Sequence, residues 1–161
     1  MKTFDSIKAR LEEKGIVFEV VTFTDIAVSA RTTDTSTDHN YNPANSIKTL
    51  IISTKDGFTG VVLKGSDRVD QPKLKSIVGK WKVVDSDTLQ NQLGYIPGTI
   101  CPLDLDLPLL IDEAVSKLSM WSMGAGANDK GFNVEMVTAL KNLNNHTVVD
   151  IRKVEEILTS V

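Results

Sequence analysis

A β-hairpin pattern in the first half of the chain restricts the fold more than any other feature. Residues 47–53 are apolar and β-branched, Lys55-Asp56-Gly57 is a turn signal, and residues 59–63 read as the returning strand. Other predicted strands are separated from the hairpin by helical patterns, in an order too irregular for a doubly wound fold. We therefore predict an α+β fold, with a mixed sheet and helices packed around it.

The remaining elements are predicted from hydrophobic periodicity and turn residues. Helices are expected over residues 4–11, 71–78, 86–93, 137–143 and 154–158. Strands are expected over residues 18–23, 81–84, 109–112, 117–123, 132–136 and 147–151. Residues 28–45 are rich in Ser, Thr, Asp and Asn and indicate a loop or a weak helix. Residues 94–108 contain two glycines and three prolines and predict a long structured loop.

Length and composition indicate one domain over residues 1–161. The N-terminal segment alternates charged and apolar residues and lacks the continuous apolar stretch of a signal peptide. No apolar run is long enough to span a bilayer, so no membrane partner is expected. The single cysteine, Cys101, excludes an internal disulfide. These features together predict a cytoplasmic protein.

Several classes of enzyme are excluded by missing motifs. The sequence has no phosphate-binding loop of the Walker type, no G-x-G-x-x-G and no G-x-S-x-G elbow. Its two histidines, His39 and His146, are far apart in polar surroundings, which is typical of surface histidines rather than of metal ligands. An enzyme with this sequence is expected to use no metal, no cofactor and no obvious covalent nucleophile.

Two features remain that could carry chemistry. Lys48 interrupts the apolar strand of the hairpin, where a lysine either extends to solvent or meets an anionic or carbonyl oxygen in a cleft. In the segment GYIPGTICPL, Gly94 and Gly98 allow positive φ angles while Pro97 and Pro102 stiffen the backbone. Such a loop is either a plain surface loop or a site whose N–H groups bind a carbonyl oxygen or an oxyanion.

A third feature is the uneven distribution of charge. The net charge is −3 and the isoelectric point is near 5.4, which is unusual for a general nucleic-acid-binding domain. Between Lys64 and Lys82, however, six basic residues accompany only two acids. In the GSDRVD segment of this stretch, Arg68 is a candidate phosphate ligand. The alternative is that Asp67 and Asp70 simply cap the helix that follows.

The order of these motifs resembles a known family. The succession of KTL on a strand, a hairpin, GSDRVD, TLQNQLGYIPGTICPL, LLIDEAV and GAG before GFNVEM is similar to the YbaK and prolyl-tRNA-synthetase-associated editing domains. The similarity runs from about Arg31 to Leu140. It implies a strongly twisted, partly closed mixed sheet flanked by helices. It also implies a hydrolase that removes wrongly attached amino acids from tRNA.

The resemblance assigns roles to particular residues. Lys48 corresponds to the family's functional lysine, and Gly98, Thr99, Ile100, Cys101 and Pro102 correspond to its glycine-proline loop. Lys48, Gly98 and Thr99 are the expected catalytic residues, with the backbone N–H groups around Gly98 and Thr99 holding the ester carbonyl. The expected substrate-binding residues are Ile100, Cys101, Pro102, Asn133, Gly126, Asp67 and Arg68.

Two departures from the family pattern affect these roles. Thr99 stands where some members have the first glycine of a G-x-x-P motif, although Gly98 and Pro102 keep a G-x-x-x-P form. Asn133 stands where some members have a titratable Asp or His, so it can hydrogen-bond the substrate or orient water but cannot act as an acid or base. Cys101 is interpreted as a packing residue, because nothing nearby in sequence would lower the pKa of its thiol.

The resemblance implies a free-standing deacylase acting on tRNA for proline charged with alanine or cysteine. The expected partners are the aminoacylated 3′ end of tRNA and an aminoacyl-tRNA synthetase. Two alternatives remain open at this stage. The chain is either a module that binds tRNA or a synthetase without hydrolysis, or a hydrolase of another small ester or thioester. The basic residues between Lys64 and Lys82 favour tRNA over the small ester.

Overall fold

The computed structural model describes residues 1–23 and 40–154. Its helices are α1 (Phe4–Glu13), α2 (Gln71–Val78), α3 (Ser86–Thr88), α4 (Glu113–Ser116) and α5 (Met136–Lys141). Its strands are β1 (Glu19–Thr22), β2 (Ile47–Thr54), β3 (Gly57–Lys64), β4 (Lys82–Val83), β5 (Leu109–Asp112), β6 (Met120–Gly124), β7 (Lys130–Glu135) and β8 (His146–Val149). Helices and antiparallel strands mixed in this way confirm the α+β class.

The described strands form two sheets. One has three antiparallel strands in the order β1-β7-β6, and the other has five strands in the order β4-β2-β3-β5-β8. The predicted hairpin is confirmed as β2 and β3, which pair antiparallel along their whole length, from Ile47 opposite Lys64 to Thr54 opposite Gly57. Strand β5 then pairs parallel with both β3 and β8, which makes the larger sheet mixed.

The expectation of one partly closed sheet needs correction. Among the described strands, the two sheets are joined only by an isolated bridge between Ser46 and Ser122, just before β2 begins. Strand β6 forms its antiparallel ladder with β7 rather than with β2. The arrangement is therefore two open sheets that pack together but are hydrogen-bonded to each other, among the described residues, only at this bridge. Local sequence patterns do not specify which strand edges pair, so this feature was not visible in the sequence.

Strand β2 contributes side chains to two separate cores. Ile47 and Ile51 belong to a large cluster together with α1 and the three-stranded sheet. Leu50 and Ile52 point to the other face and pack in a smaller cluster with Leu74 of α2. Successive side chains of a strand alternate between its faces. A strand buried on both sides reads as a continuous apolar run, which is why residues 47–53 predicted it well.

Most predicted helices are confirmed with small shifts at their ends. The N-cap of α2 is Asp70, whose side chain accepts a hydrogen bond from the Lys73 backbone N–H at 3.0 Å, and the helix ends at Gly79 with φ of 78°. The helix expected over residues 86–93 is a single α-turn, α3, that continues as a π-helical turn over Leu89–Leu93. Helix α4 was not predicted, and it lies directly before the strand expected over residues 117–123, which is found as β6 with a later start at Met120.

Parts of two predictions lie outside the described residues. These are residues 28–39 of the predicted loop or weak helix and all but the first residue of the helix predicted over residues 154–158. The end of the former, Pro43–Asn45, is a short 3-10 helix. No helix within the described ranges has the length and apolar composition needed to cross a membrane.

Candidate active site

A cleft lies where the three-stranded sheet meets the start of β2 and the loop after α3. Its walls include Gly98 of the loop, Gly124 and Gly131 of β6 and β7, and the side chains of Ser46, Ser122 and Lys130. The enclosed space is about 50 Å³, which holds a few water molecules. The cleft is therefore lined by small polar side chains and by backbone atoms that are accessible because the glycines have no side chain.

The glycine-proline loop reaches this cleft through Gly98, whose φ angle is +86°. The next residue, Thr99, is buried, and its backbone N–H and hydroxyl both donate to the carbonyl of Ile96, at 3.2 and 2.7 Å. No described residue accepts a hydrogen bond from the Gly98 N–H. Of the two N–H groups expected to bind a carbonyl, the one at Thr99 is therefore already used in a turn, and the one at Gly98 has no acceptor among the described residues.

The GAG turn holds this loop in place. A Cβ atom on Gly124 would lie 2.5 Å from the carbonyl oxygen of Ile100, so only glycine allows the loop backbone to lie directly on β6. The Gly126 N–H donates to the Thr99 carbonyl oxygen at 2.9 Å, and its φ of 79° again favours glycine. Gly126, an expected substrate-binding residue, contacts the loop rather than lining the cleft. The two glycines together position Gly98.

The other residues of the loop are buried in the large core cluster. Ile100 and Cys101 are 4% and 0% exposed, and Pro102 begins a short 3-10 helix. The thiol of Cys101 lies 3.7 Å from the sulfur of Met123, and burial raises the pKa of this thiol to about 12. A thiol with that pKa is protonated at neutral pH and is a poor nucleophile. These placements agree with the interpretation of Cys101 as a packing residue.

Asn133 is buried in β7 with both ends of its amide occupied. Its Oδ1 accepts a hydrogen bond from the hydroxyl of Ser122 at 2.5 Å, and its Nδ2 donates to the backbone carbonyl of Asn40 at 2.7 Å. Asn133 is thus adjacent to the cleft residue Ser122 and ties the segment at Asn40 to the sheet. In this arrangement the amide orients the Ser122 side chain, which itself faces the cleft.

Lys48 lies beside the GSDRVD segment. It follows Ile47, a residue of the cleft wall, but its side chain alternates to the opposite face of β2. Its amine donates to the backbone carbonyl of Asp67. Asp67 in turn lies in a second, larger depression that also contains Arg68. Lys48 therefore stands between the cleft and the depression at Arg68.

The expected site residues thus form two groups. In the first group, Gly98 lines the cleft, Thr99, Ile100, Cys101 and Pro102 continue its loop, Gly126 bonds that loop, and Asn133 bonds Ser122 of the cleft wall. In the second group, Lys48, Asp67 and Arg68 lie on the side of the GSDRVD segment. The capping alternative for this segment is confirmed for Asp70, which caps α2. Asp67 has a different role, because its carbonyl oxygen accepts the Lys48 amine.

Sequence reasoning missed three residues of the cleft. Lys130 lines it and donates to the hydroxyl of Thr22 at 3.0 Å, and Ser46 and Ser122 meet there through the bridge between the two sheets. No motif marks these residues, because they come together only when β1, β6 and β7 pair and Ser46 then bridges to Ser122 of β6. Within the described ranges, no three His, Cys, Asp or Glu side chains are grouped as metal ligands.

Known proteins were compared with the sequence and with the fold. The family described as the aminoacyl-tRNA editing domain matches residues 26–142. Proline–tRNA ligases are similar in sequence. That of Ruthia magnifica subsp. Calyptogena magnifica is 33% identical over 90 residues, covering 56% of this chain and 16% of the ligase. That of Vesicomyosocius okutanii subsp. Calyptogena okutanii is 31% identical over 96 residues, covering 60% of this chain and 17% of the ligase.

The fold also has counterparts among solved structures. A crystal structure described as a candidate trans-editing enzyme for prolyl tRNA synthetase superposes with a TM-score of 0.81 at 18% identity, over 93% of this chain and 96% of that one. Identity this low supports the fold alone, and the chain spans only about a sixth of the ligases it resembles. The family match, however, covers well over half of the sequence. The chain belongs to the aminoacyl-tRNA editing domain family.

Proposed function

We propose that this protein hydrolyses the ester bond of mischarged aminoacyl-tRNA, acting in trans on tRNA for proline that carries alanine or cysteine. Membership of the editing family supports the reaction class. The similarity to proline–tRNA ligases supports proline tRNA as the substrate. The fold match to a candidate trans-editing enzyme, over nearly the whole of that chain, supports action in trans.

The geometry of Gly98 is the observation that carries the proposal. Its N–H has no acceptor among the described residues and belongs to a cleft wall, on a loop fixed by Gly124 and Gly126. A rigid N–H donor stabilises the oxyanion that develops when water attacks an ester carbonyl. In this proposal Gly98 supplies that hydrogen bond. Thr99 keeps the turn closed through its two bonds to Ile96.

Lys48 is proposed to bind the phosphate of the terminal adenosine. Its amine lies at the GSDRVD segment, one residue along β2 from the cleft wall at Ile47. This position favours a role in holding the nucleotide over a role in polarising the carbonyl. Positioning matters greatly for this reaction, because an aminoacyl ester is already activated and needs mainly correct placement of water and carbonyl.

Specificity for small amino acids is part of this proposal. A cleft with room for only a few water molecules favours a methyl or thiol group over a large side chain. Ile100, Cys101 and Pro102 of the same loop are buried, and Asn133 holds Ser122 at the cleft wall. Pockets of this kind discriminate one methylene by only about 10–200-fold, so activity on serine-charged tRNA is also expected.

The test is a deacylation assay on tRNA for proline charged with alanine, cysteine, serine or proline. Wild type should release alanine and cysteine faster than proline. The Lys48→Ala variant should be slower by roughly 100-fold, since a lost positioning contact commonly has an effect of this size. Lys55→Ala is the matched control, because Lys55 is exposed at the far end of the same hairpin. Its rate should equal that of wild type.

Two outcomes would contradict parts of the proposal. If no amino acid is released from any of the four charged tRNAs, the proposed hydrolase activity is wrong. Tight tRNA binding in that case would identify a non-catalytic binding module. Equal rates for wild type and Lys48→Ala would show that Lys48 has no part in the reaction. That result would not contradict the role proposed for the cleft at Gly98.

A further inference from the structure

A basic groove is formed by two segments that are far apart in sequence. It consists of Ser66, Asp67 and Arg68 from the loop after β3, together with Arg152 and Lys153 near the end of the described chain. The space within it is about 300 Å³. The sequence pattern had identified Arg68 as a candidate phosphate ligand but offered no reason to place Arg152 and Lys153 beside it.

The backbone holds these segments together. Val69 and Arg152 form an antiparallel bridge, the Lys153 N–H donates to the Arg68 carbonyl at 2.7 Å, and the Asp70 N–H donates to the Ile151 carbonyl at 2.7 Å. The buried carboxylate of Asp112 also accepts a hydrogen bond from the Arg152 N–H, at 3.0 Å. The side chains of Arg68, Arg152 and Lys153 are therefore presented from a fixed framework.

The charges of the groove are unbalanced within the described part of the chain. Its three cations form no salt bridge with a described residue, in contrast to the neighbouring Lys73, which pairs with Asp150 at 3.1 Å. The chain as a whole is acidic, with a net charge of −3. One carboxylate oxygen of Asp67, Oδ2, is buried and has no hydrogen-bond partner. The groove thus offers cations together with the partly exposed carboxylate of Asp67, which can accept a hydrogen bond.

We propose that this groove binds the ribose-phosphate backbone of tRNA. Arg68, Arg152 and Lys153 contact phosphates, and Asp67 accepts a hydrogen bond from a ribose hydroxyl. This combination matches RNA, whose backbone alternates anionic phosphates with 2′-hydroxyl donors. The identification of the RNA as tRNA rests on the proposed function.

The position of the groove supports this assignment. The carbonyl of Asp67 accepts the Lys48 amine, so the groove adjoins the lysine that lies next to the cleft wall. A strand whose 3′ end enters the cleft can therefore pass Lys48 and continue into the groove. An anionic membrane is a poorer match, because polybasic membrane contacts use flat clusters of about four to eight cations and have no need of a buried acceptor.

The main test measures binding of deacylated tRNA for proline over a series of salt concentrations. The triple variant Arg68→Gln, Arg152→Gln, Lys153→Gln should reduce the slope of log affinity against log salt by about 2, since each phosphate contact contributes about 0.7–0.9. Its affinity in 0.1 M salt should fall by at least about tenfold. The control Lys55→Gln, Lys117→Gln, Lys141→Gln removes the same charge from exposed positions outside the groove and should leave the slope unchanged.

Asp67→Ala provides an independent signature. It should weaken RNA binding a few-fold without changing the salt slope, because a hydroxyl contact releases no counterions. Tighter RNA binding by this variant would contradict the role given to the Asp67 carboxylate.

Hydrolysis assays separate this inference from the proposed function. On full-length charged tRNA the groove variant should raise KM by about tenfold, whereas on aminoacyl-adenosine, which has no backbone phosphate to place in the groove, it should match wild type. If wild type hydrolyses nothing, the proposed function fails, but the salt slopes still test the groove. Equal slopes for the groove and control variants would overturn the inference. So would an effect confined to binding of phosphatidylserine vesicles.

Discussion

The loop at Gly98 and the basic groove at Arg68 are both built by docking a loop onto a distant segment, but their side chains have opposite environments. In the loop, Thr99, Ile100, Cys101 and Asp104 are buried. In the groove, Ser66, Arg68 and Lys153 are exposed, and backbone hydrogen bonds join the two segments that form it. A donor that must meet a developing oxyanion has to be rigid and shielded from water. Cations that attract phosphates act from the surface and depend on salt.

The comparison extends to what stabilises each region. The loop is anchored to α1 by Asp104, whose carboxylate accepts from the Tyr95 hydroxyl at 2.5 Å and pairs with Lys2 and Arg10 at 3.1 and 3.0 Å. Burial is the main reason that the pKa of Tyr95 is raised far above its usual range, which keeps its hydroxyl a donor. Mutations should therefore affect folding on the loop side and tRNA binding on the groove side.

At neutral pH the largest loss of stability is expected from Asp104→Ala. This change leaves the buried Tyr95 hydroxyl without its acceptor and Lys2 without its carboxylate partner, at a cost of about 3 kcal/mol in the free energy of unfolding. Asp106→Ala is the matched control, because Asp106 pairs with the same Arg10 at 2.8 Å but is 72% exposed. Its cost should stay below about 1 kcal/mol. Equal losses in urea unfolding would show that burial of Asp104 does not matter.

Gly124→Ala should destabilise the protein by about 2 kcal/mol and slow hydrolysis at least tenfold. The new Cβ would overlap the Ile100 carbonyl, so the loop would have to move away from β6 and take the Gly98 N–H with it. Gly60→Ala is the comparison, since its Cβ would meet the Leu109 side chain rather than the backbone next to Gly98. It should lower thermal stability while the hydrolysis rate is kept. Full activity of Gly124→Ala would argue against the role of the loop.

The free energy of unfolding should fall at alkaline pH because the thiol of Cys101 is buried. Burial raises the pKa of Cys101 to about 12 in the folded state from an ordinary value of 9.0, so the unfolded chain loses this proton first. The stability that depends on Cys101 is therefore complete below about pH 9 and falls by about 1.4 kcal/mol per pH unit until about pH 12. Cys101→Ala should lack this component of the slope in urea unfolding. Identical pH slopes for wild type and Cys101→Ala would contradict the burial of this thiol.

The smallest effect on folding is expected from Arg68→Gln. An exposed side chain without a salt bridge in the described chain should change the free energy of unfolding by less than about 0.5 kcal/mol. The same variant should lower the salt slope of tRNA binding by nearly one unit. A large drop in melting temperature would mean that Arg68, like the buried residues of the loop, mainly stabilises the fold.

Local patterns in the sequence determined a good part of this protein. The hairpin, helix α2 and strand β5 could be predicted because alternation, capping by Asp70 and the stop at Gly79 act between close neighbours in the chain. The order of motifs also identified the editing family, which the family match confirms. Lys48 and Gly98 were selected by their place in the strand and loop patterns and by their correspondence to the family's motifs, and their catalytic roles stay predictions.

Tertiary structure decided the rest. Ser46 meets Ser122, Lys130 enters the cleft, and Arg152 joins Arg68 only through strand pairing between remote segments. It also decided that the Thr99 N–H is used within a turn, whereas the Gly98 N–H has no acceptor among the described residues. The physical reason is that hydrogen-bond partners across sheets depend on which edges meet, and a single sequence encodes propensities and periods rather than those pairings.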